Sequence, residues 1–159
     1  MSKIVGFDAA KCRGCFSCMV ACATRNEGIG DLNMSRVRIT PFWYEGFFVP
    51  LVCQQCEKPH CASVCPTNAL SKNAETGVVE LDKDKCVGCK LCLGVCPFGN
   101  ITFANGRAAK CHTCEGDPTC VKVCQWQALT FGEADELGAG KRAVVAGKVS
   151  ESQKRADEL

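Results

Sequence analysis

Sixteen of the 159 residues are cysteine, and they fall into four groups of four with none left over. The groups are Cys12-x2-Cys15-x2-Cys18-x3-Cys22, Cys53-x2-Cys56-x4-Cys61-x3-Cys65, Cys86-x2-Cys89-x2-Cys92-x3-Cys96 and Cys111-x2-Cys114-x5-Cys120-x3-Cys124. Thiolates at this pitch are soft ligands. Three of them, two residues apart, wrap one face of a cubane iron–sulfur cluster, and the fourth, three residues on, points to a neighbouring cluster. A [4Fe–4S] cluster takes four thiolates, so sixteen are enough for four clusters. The chemistry of such a set is one-electron transfer.

Two other uses of cysteine compete with this reading. Disulfides belong to exported chains. The opening MSKIVGFDAAKC shows no apolar core of a leader peptide and no twin arginine, so a reducing, cytoplasmic setting is expected. Structural zinc also takes four thiolates, but a zinc ribbon separates two C-x2-C pairs by a longer loop. Here groups one and three place all four cysteines in one short run, and Pro66 and Pro97 directly follow the last cysteine of groups two and three. That spacing fits cubanes and not zinc. The two histidines, His60 and His112, sit beside complete cysteine sets and are expected to orient ligands or lie at the surface rather than bind metal.

Composition points the same way. The hydrophobic fraction is 47%, but it counts the cysteines; without them about 37% remains, a thin apolar core. The clusters themselves are expected to fill the interior, so folding should be coupled to their insertion. The formal charge of +2 counts every thiol as neutral. With sixteen thiolates and four oxidised cores the loaded chain comes to roughly −6, which gives no support to nucleic-acid binding. No stretch reaches the ~20 apolar residues of a membrane span.

The elements that position these cysteines are short. Ile4 to Phe7 reads as a strand before group one. Val37 and Ile39, then Phe47 to Val52, read as two strands around Glu45-Gly46, with Trp43 and Tyr44 between them either packed or facing a cluster or partner. Ala69-Leu70-Ser71 and Val78 to Leu81 form a hairpin around Glu75-Thr76-Gly77. Ile101-Thr102-Phe103 is a strand followed by an Asn105-Gly106 turn. Ala128 to Phe131 closes group four and is a candidate to pair with Ile4 to Phe7. Short helices are expected to follow the third cysteine of each group. Beyond Gly132 the chain is polar, apart from Ala143 to Ala146, and reads as a solvated tail or an arm that docks on another subunit.

Cysteine groups of this kind pair, each lending its last cysteine to the other's cluster. Groups two and three both end in Cys-Pro, and groups one and four both lack the proline. The groups could pair in sequence or in nested fashion, and these shared endings favour nesting. Cys53, Cys56, Cys61 and Cys96 would hold one cluster, and Cys86, Cys89, Cys92 and Cys65 the next. Cys12, Cys15, Cys18 and Cys124 would hold a third, and Cys111, Cys114, Cys120 and Cys22 a fourth. Lysine precedes the first cysteine of three groups (Lys11, Lys85, Lys110), and Lys90 lies inside the third. A cation beside a cluster favours its reduced state and raises its potential; the alternative is a solvated lysine that only offsets charge.

The stretches CQQCEKPHCASVCP, CVGCKLCLGVCPFG and KCHTCEGDPTCVKVC resemble the four-cluster ferredoxin-like electron-transfer subunits of the DMSO reductase beta-subunit type. The resemblance covers roughly Ile4 to Phe131. The RVRITPF and FFVPLVC stretches are most similar to the small iron–sulfur subunit of tungsten aldehyde oxidoreductases. The resemblance implies an α+β fold of two nested dicluster modules with short strands, short helices and many loops. An inner module at about 53–97 would be inserted in an outer module of 1–22 plus 106–131, with a polar tail at 132–159. It implies a relay subunit, not itself catalytic. Single electrons would pass between a catalytic molybdenum- or tungsten-pterin subunit and a second partner, such as a flavoprotein that reduces NAD. A free polyferredoxin, or a relay of a formate dehydrogenase or hydrogenase, is the neighbouring alternative. Head-to-tail self-association through the tail is a further expectation.

Overall fold

The computed structural model describes residues 3–139. Its strands form four separate two-stranded ribbons. A lone ribbon of this size is marginal in water, so each depends on what it packs against.

The first ribbon joins the two ends of the described chain. β1 (Lys3–Phe7) runs antiparallel to β8 (Leu129–Glu133), with Ile4 opposite Gly132 and Phe7 opposite Leu129. The expected partner segment is therefore extended by two residues at its far end. Residues 134–139 then turn into helix. Leu137 lies over Gly6, where a Cβ would meet its Cδ1 at 3.1 Å. The expected tail from 132 thus begins as strand and helix, while its apolar patch at 143–146 lies outside the described residues.

β2 (Arg38–Phe42) and β3 (Phe47–Leu51) form the second ribbon. Phe42 and Phe47 stack with ring centroids 4.6 Å apart, and Trp43 meets Phe48 edge-on at 5.3 Å. β4 (Leu70–Lys72) and β5 (Val79–Leu81) form the third. Its turn is closed by the Asn73 side chain, whose Oδ1 accepts from the N–H groups of Glu75 and Thr76 at 2.9 and 3.1 Å. β6 (Ile101–Ala104) and β7 (Arg107–Lys110) form the fourth. The sequence marks the Asn105-Gly106 turn but not β7, because Arg-Ala-Ala-Lys carries no β-branched or aromatic residue. The turn decides it: both central residues have positive φ, 52° and 76°, the geometry of a tight hairpin.

Four α-helices carry the cysteine groups: α1 (Ser17–Glu27), α2 (His60–Ser63), α3 (Leu91–Val95) and α4 (Thr119–Lys122). Each begins one residue before the third cysteine of its group, not after it as expected. α1 is also longer than expected. It runs through Cys22 and ends at Gly28, a left-handed cap whose N–H donates to the Thr24 carbonyl at 2.9 Å. α1 packs on α4, and α2 on α3.

Two apolar clusters form the core. One gathers Val5, Met19, Val37, Ile39, Val52 and Leu129 from both ends of the chain, and the other gathers Leu70, Val79, Ile101 and Ala108. Cysteines belong to both: Cys18, Cys22 and Cys120 to the first, Cys92 to the second.

Candidate metal centre

The spacing of the last two cysteines in each group is four residues, one helical turn. The third cysteine lies on each helix and the fourth follows on α1 itself or just past the end of α2, α3 and α4, and the two reach neighbouring spaces. Four small cavities result, each enclosing between 350 and 430 Å³ of atom-free space, part of it open to solvent. One is lined by Cys12, Cys15, Cys18 and Cys124. The next is lined by Cys22, Cys111, Cys114 and Cys120, with Cys53 also on its wall. A third is lined by Cys53, Cys56, Cys61 and Cys96. The fourth is lined by Cys65, Cys86, Cys89 and Cys92. All sixteen thiols are free of disulfides.

The C-x2-C loops share a backbone device. The residue before the second cysteine is left-handed in all four groups: Gly14, Gln55, Gly88 and Thr113, with φ of 65°, 46°, 72° and 57°. Glycine supplies this without strain. Gly14 and Gly88 are also tight. A Cβ would lie 2.5 Å from the Phe48 ring at Gly14 and 2.6 Å from the Gly106 carbonyl oxygen at Gly88. In group four the left-handed run continues through Cys114 and Glu115, at a cost on the order of 1–3 kcal/mol for each such residue.

Donors converge on the sulfurs. The backbone N–H of Arg36 donates to Cys22 Sγ at 3.4 Å, that of Asn100 to Cys96 Sγ at 3.4 Å and that of Ala128 to Cys124 Sγ at 3.2 Å. Hydrogen bonds of this kind favour the thiolate. Burial works against it. It is the leading cause that pushes the thiols of Cys18 and Cys111 up to about 12, followed by neighbouring thiolates, and it also raises Cys61, Cys92 and Cys120. At Cys65 burial acts upward too, but the Leu70 N–H and the Thr67 hydroxyl outweigh it and hold the thiol low. The thiols that burial holds up, such as Cys18 and Cys111, would ionise on binding a positively charged metal core.

The donor set and its shape fit such a core. Among the described residues no three His, Cys, Asp or Glu side chains converge tightly enough for a single ion. Zinc would need sulfurs at about 2.3 Å from one point. The thiols instead ring spaces that a polynuclear group would fill.

The lysines singled out by position part ways. Lys11 and Lys85 are exposed and form turn ion pairs with Asp8 and Asp82 at 3.9 and 3.0 Å. Lys90 lies over the Phe103 ring at 4.7 Å. Lys110 is buried, 5% exposed, with Nζ 3.1 Å from Cys53 Sγ. His112 Nε2 donates to Asn26 Oδ1 at 2.9 Å, and Asn26 Nδ2 donates to the Cys22 carbonyl and Sγ at 2.7 and 3.7 Å. Burial first, then Arg36, lowers the His112 pKa, so the ring is neutral and acts on Cys22 through Asn26. His60 opens α2, its carbonyl accepting from Ser63 Oγ at 2.9 Å. Gln55, Asn26 and Arg36 carry no signal in the sequence; only their contacts single them out.

Short helices that each carry a cysteine, two-stranded ribbons and thiol-ringed cavities define a small ferredoxin-like iron–sulfur protein. The chain belongs to the 4Fe-4S dicluster domain family, whose model matches residues 44–134. It is similar to the NADH-dependent phenylglyoxylate dehydrogenase subunit beta of Aromatoleum evansii, 43% identical over 131 residues, covering 79% of this chain and 29% of that one. It is similar to the thiosulfate reductase electron transfer subunit PhsB of Salmonella typhi, 38% identical, covering 81% of this chain and 74% of that one. It is also similar to the B subunit of the anaerobic dimethyl sulfoxide reductase of Escherichia coli, 32% identical, covering 86% and 77%. The chain thus spans under a third of the first of these relatives and about three quarters of the other two. Among the described residues no helix is long and apolar enough to cross a membrane.

Proposed function

We propose that this chain is an electron-relay subunit of an oxidoreductase complex, holding four [4Fe–4S] clusters in a row. Each of the four cavities would take one cluster, held by the four cysteines that ring it, in two nested modules. When bound, the clusters supply one-electron carriers; the protein's part is to fix their order and shield them. The cavities are linked in sequence. α2 and α3 each carry or lead into cysteines of the third and fourth, Cys53 touches the second and third, and α1 and α4 link the first and second.

One observation carries the reading of a wire with two ports. Of the sixteen thiols only Cys15 and Cys89 are exposed, and they belong to the first and the fourth cavity, the two ends of the row. Each lies near exposed apolar side chains: Trp126, with Arg13 over its ring at 5.8 Å, at one end, and Val87 and Leu91 at the other. The inner cavities have no exposed thiol. A row whose exposed thiols, Cys15 and Cys89, lie at its two ends suits entry at one end and exit at the other.

The partners we propose are a catalytic molybdenum- or tungsten-pterin subunit, of aldehyde oxidoreductase type, and a second redox protein such as an NAD-reducing flavoprotein. The relatives support the subunit role. The tungsten enzyme rests on the RVRITPF and FFVPLVC stretches alone. Anaerobic purification of the native complex tests the whole reading. About sixteen irons and sixteen sulfides per chain are expected, with a pterin metal on a co-eluting subunit. Eight irons would reduce the relay to two clusters, full iron without a partner would favour a free polyferredoxin, and zinc without iron would overturn it.

A further inference from the structure

Arg36 and Lys110 are the charged residues buried among the described residues. Arg36 is neutralised by a close ion pair with Glu27, whose side chain is 7% exposed. Among the described residues Lys110 has no carboxylate within ion-pair distance. Its Nζ has three partners: Cys53 Sγ at 3.1 Å, Gln55 Oε1 at 3.1 Å and the Cys111 carbonyl at 3.2 Å. An ammonium has three donors and no acceptor, and all three of these partners accept. The network is closed on the other side. Gln55 Oε1 also accepts from the Val79 N–H at 2.9 Å, and Gln55 Nε2 donates to the Cys111 carbonyl at 2.8 Å. The lysine is therefore held in place, and Gln55 is 2% exposed.

A buried cation is costly unless a negative charge faces it. Among the described residues the negative partner within reach of Lys110 is the thiolate of Cys53. We infer that Lys110 is a positioning and tuning residue whose counter-ion is the cluster held by Cys53, Cys56, Cys61 and Cys96, and that it makes this inner site the preferred resting place of an electron in the row. Addition of one electron to a cluster adds one negative charge, and a fixed cation within hydrogen-bond distance of a ligand sulfur stabilises that state. Low dielectric around the pair strengthens the effect. Lys11 and Lys85 cannot do the same, because solvent and Asp8 or Asp82 screen them. The residue stands at the seam between the second and third cavities, since Cys53 lines both. The electron would thus be held midway along the row, away from both ports. This inference rests on the relay reading above.

The test is an EPR-monitored redox titration of the loaded protein with Lys110→Gln and Lys110→Arg, iron being counted on each sample. The cluster is identified by the signal altered in Cys56→Ser. Expected for Lys110→Gln is a fall of at least tenfold in the reduction equilibrium of that cluster, 59 mV for a one-electron couple, with smaller shifts at the others and with Lys110→Arg near the parent. Should Lys110→Gln fail to load, Gln55→Glu places a carboxylate beside the lysine and is expected to give the same downward shift. Equal potentials in loaded Lys110→Gln and parent, or an equal fall in Lys110→Arg, would overturn the tuning role while leaving the relay intact. Absence of iron in the parent would remove the relay reading itself.

Discussion

Gly88 shows how little room the cysteine loops leave. Its φ is +72° and a Cβ would sit 2.6 Å from the Gly106 carbonyl oxygen, a backbone atom that cannot swing aside. Gly88→Ala is expected to destabilise the loaded protein by more than about 1 kcal/mol and to lower iron retention. Gly94 is the control. It lies within α3, and a Cβ placed there meets nothing within 4 Å, so Gly94→Ala is expected to be neutral or to stabilise by up to about 1 kcal/mol. Guanidinium midpoints of the two variants check this, and equal midpoints would sink the argument. At this scale the candidate ligands are legible in the sequence, because sixteen thiols at fixed spacing have few other uses. The glycines at 14 and 88 are in view there but their close contacts are not. Gln55 and Thr113 hold the same left-handed position without being glycine, which no local rule announces. Lys110 looks like Lys11 and Lys85 in the sequence. Only burial, which depends on the strand that delivers it, sets it apart.

At the level of elements, the ribbons are largely readable from alternating apolar runs and their turns, and β7 is not, since its residues have no strand preference of their own. The helices start earlier than the cysteine spacing suggests. Spacing fixes which cysteines face a cluster but not where the first helical turn begins. The β2–β3 ribbon carries the clearest surface feature. Trp43 is 67% exposed and Tyr44 fully exposed, with Phe42 and Phe47 stacked beside them. Ordinary packing is one expectation for Trp43 and Tyr44; Trp43 meets it in part through Phe48, and the full exposure of Tyr44 contradicts it. Phe48 of the same ribbon lies against Gly14, beside Cys15, and Trp43 packs on Phe48, so the tip stands close to one proposed port. Trp43→Ser with Tyr44→Ser is expected to leave iron content and melting temperature unchanged and to reduce the amount of partner that co-elutes with the native complex. A drop in iron content would assign these rings to folding instead.

For the whole molecule, the thin apolar core and the cysteines within it would make a bound cluster part of the interior. Removal of iron by an anaerobic chelator is expected to abolish cooperative unfolding and most of the far-ultraviolet circular dichroism, because a thin apolar core and a Lys110 without its counter-charge would be left. A chelated protein that still melted cooperatively would show that the ribbons and helices suffice alone. The division into two nested modules is a proposal drawn from the cysteine spacing and the two prolines that follow groups two and three. The ribbon of β1 and β8 has another bearing, on biosynthesis. β1 leaves the ribosome first and β8 more than a hundred residues later, a delay on the order of ten seconds at ~5–20 residues per second. Cys12, Cys15 and Cys18 spend that interval without Cys124, whereas the cysteines between 53 and 96 are complete much sooner. Maturation would therefore proceed from the middle of the chain outward, and the earliest-made thiols would be the last to be safe from oxygen.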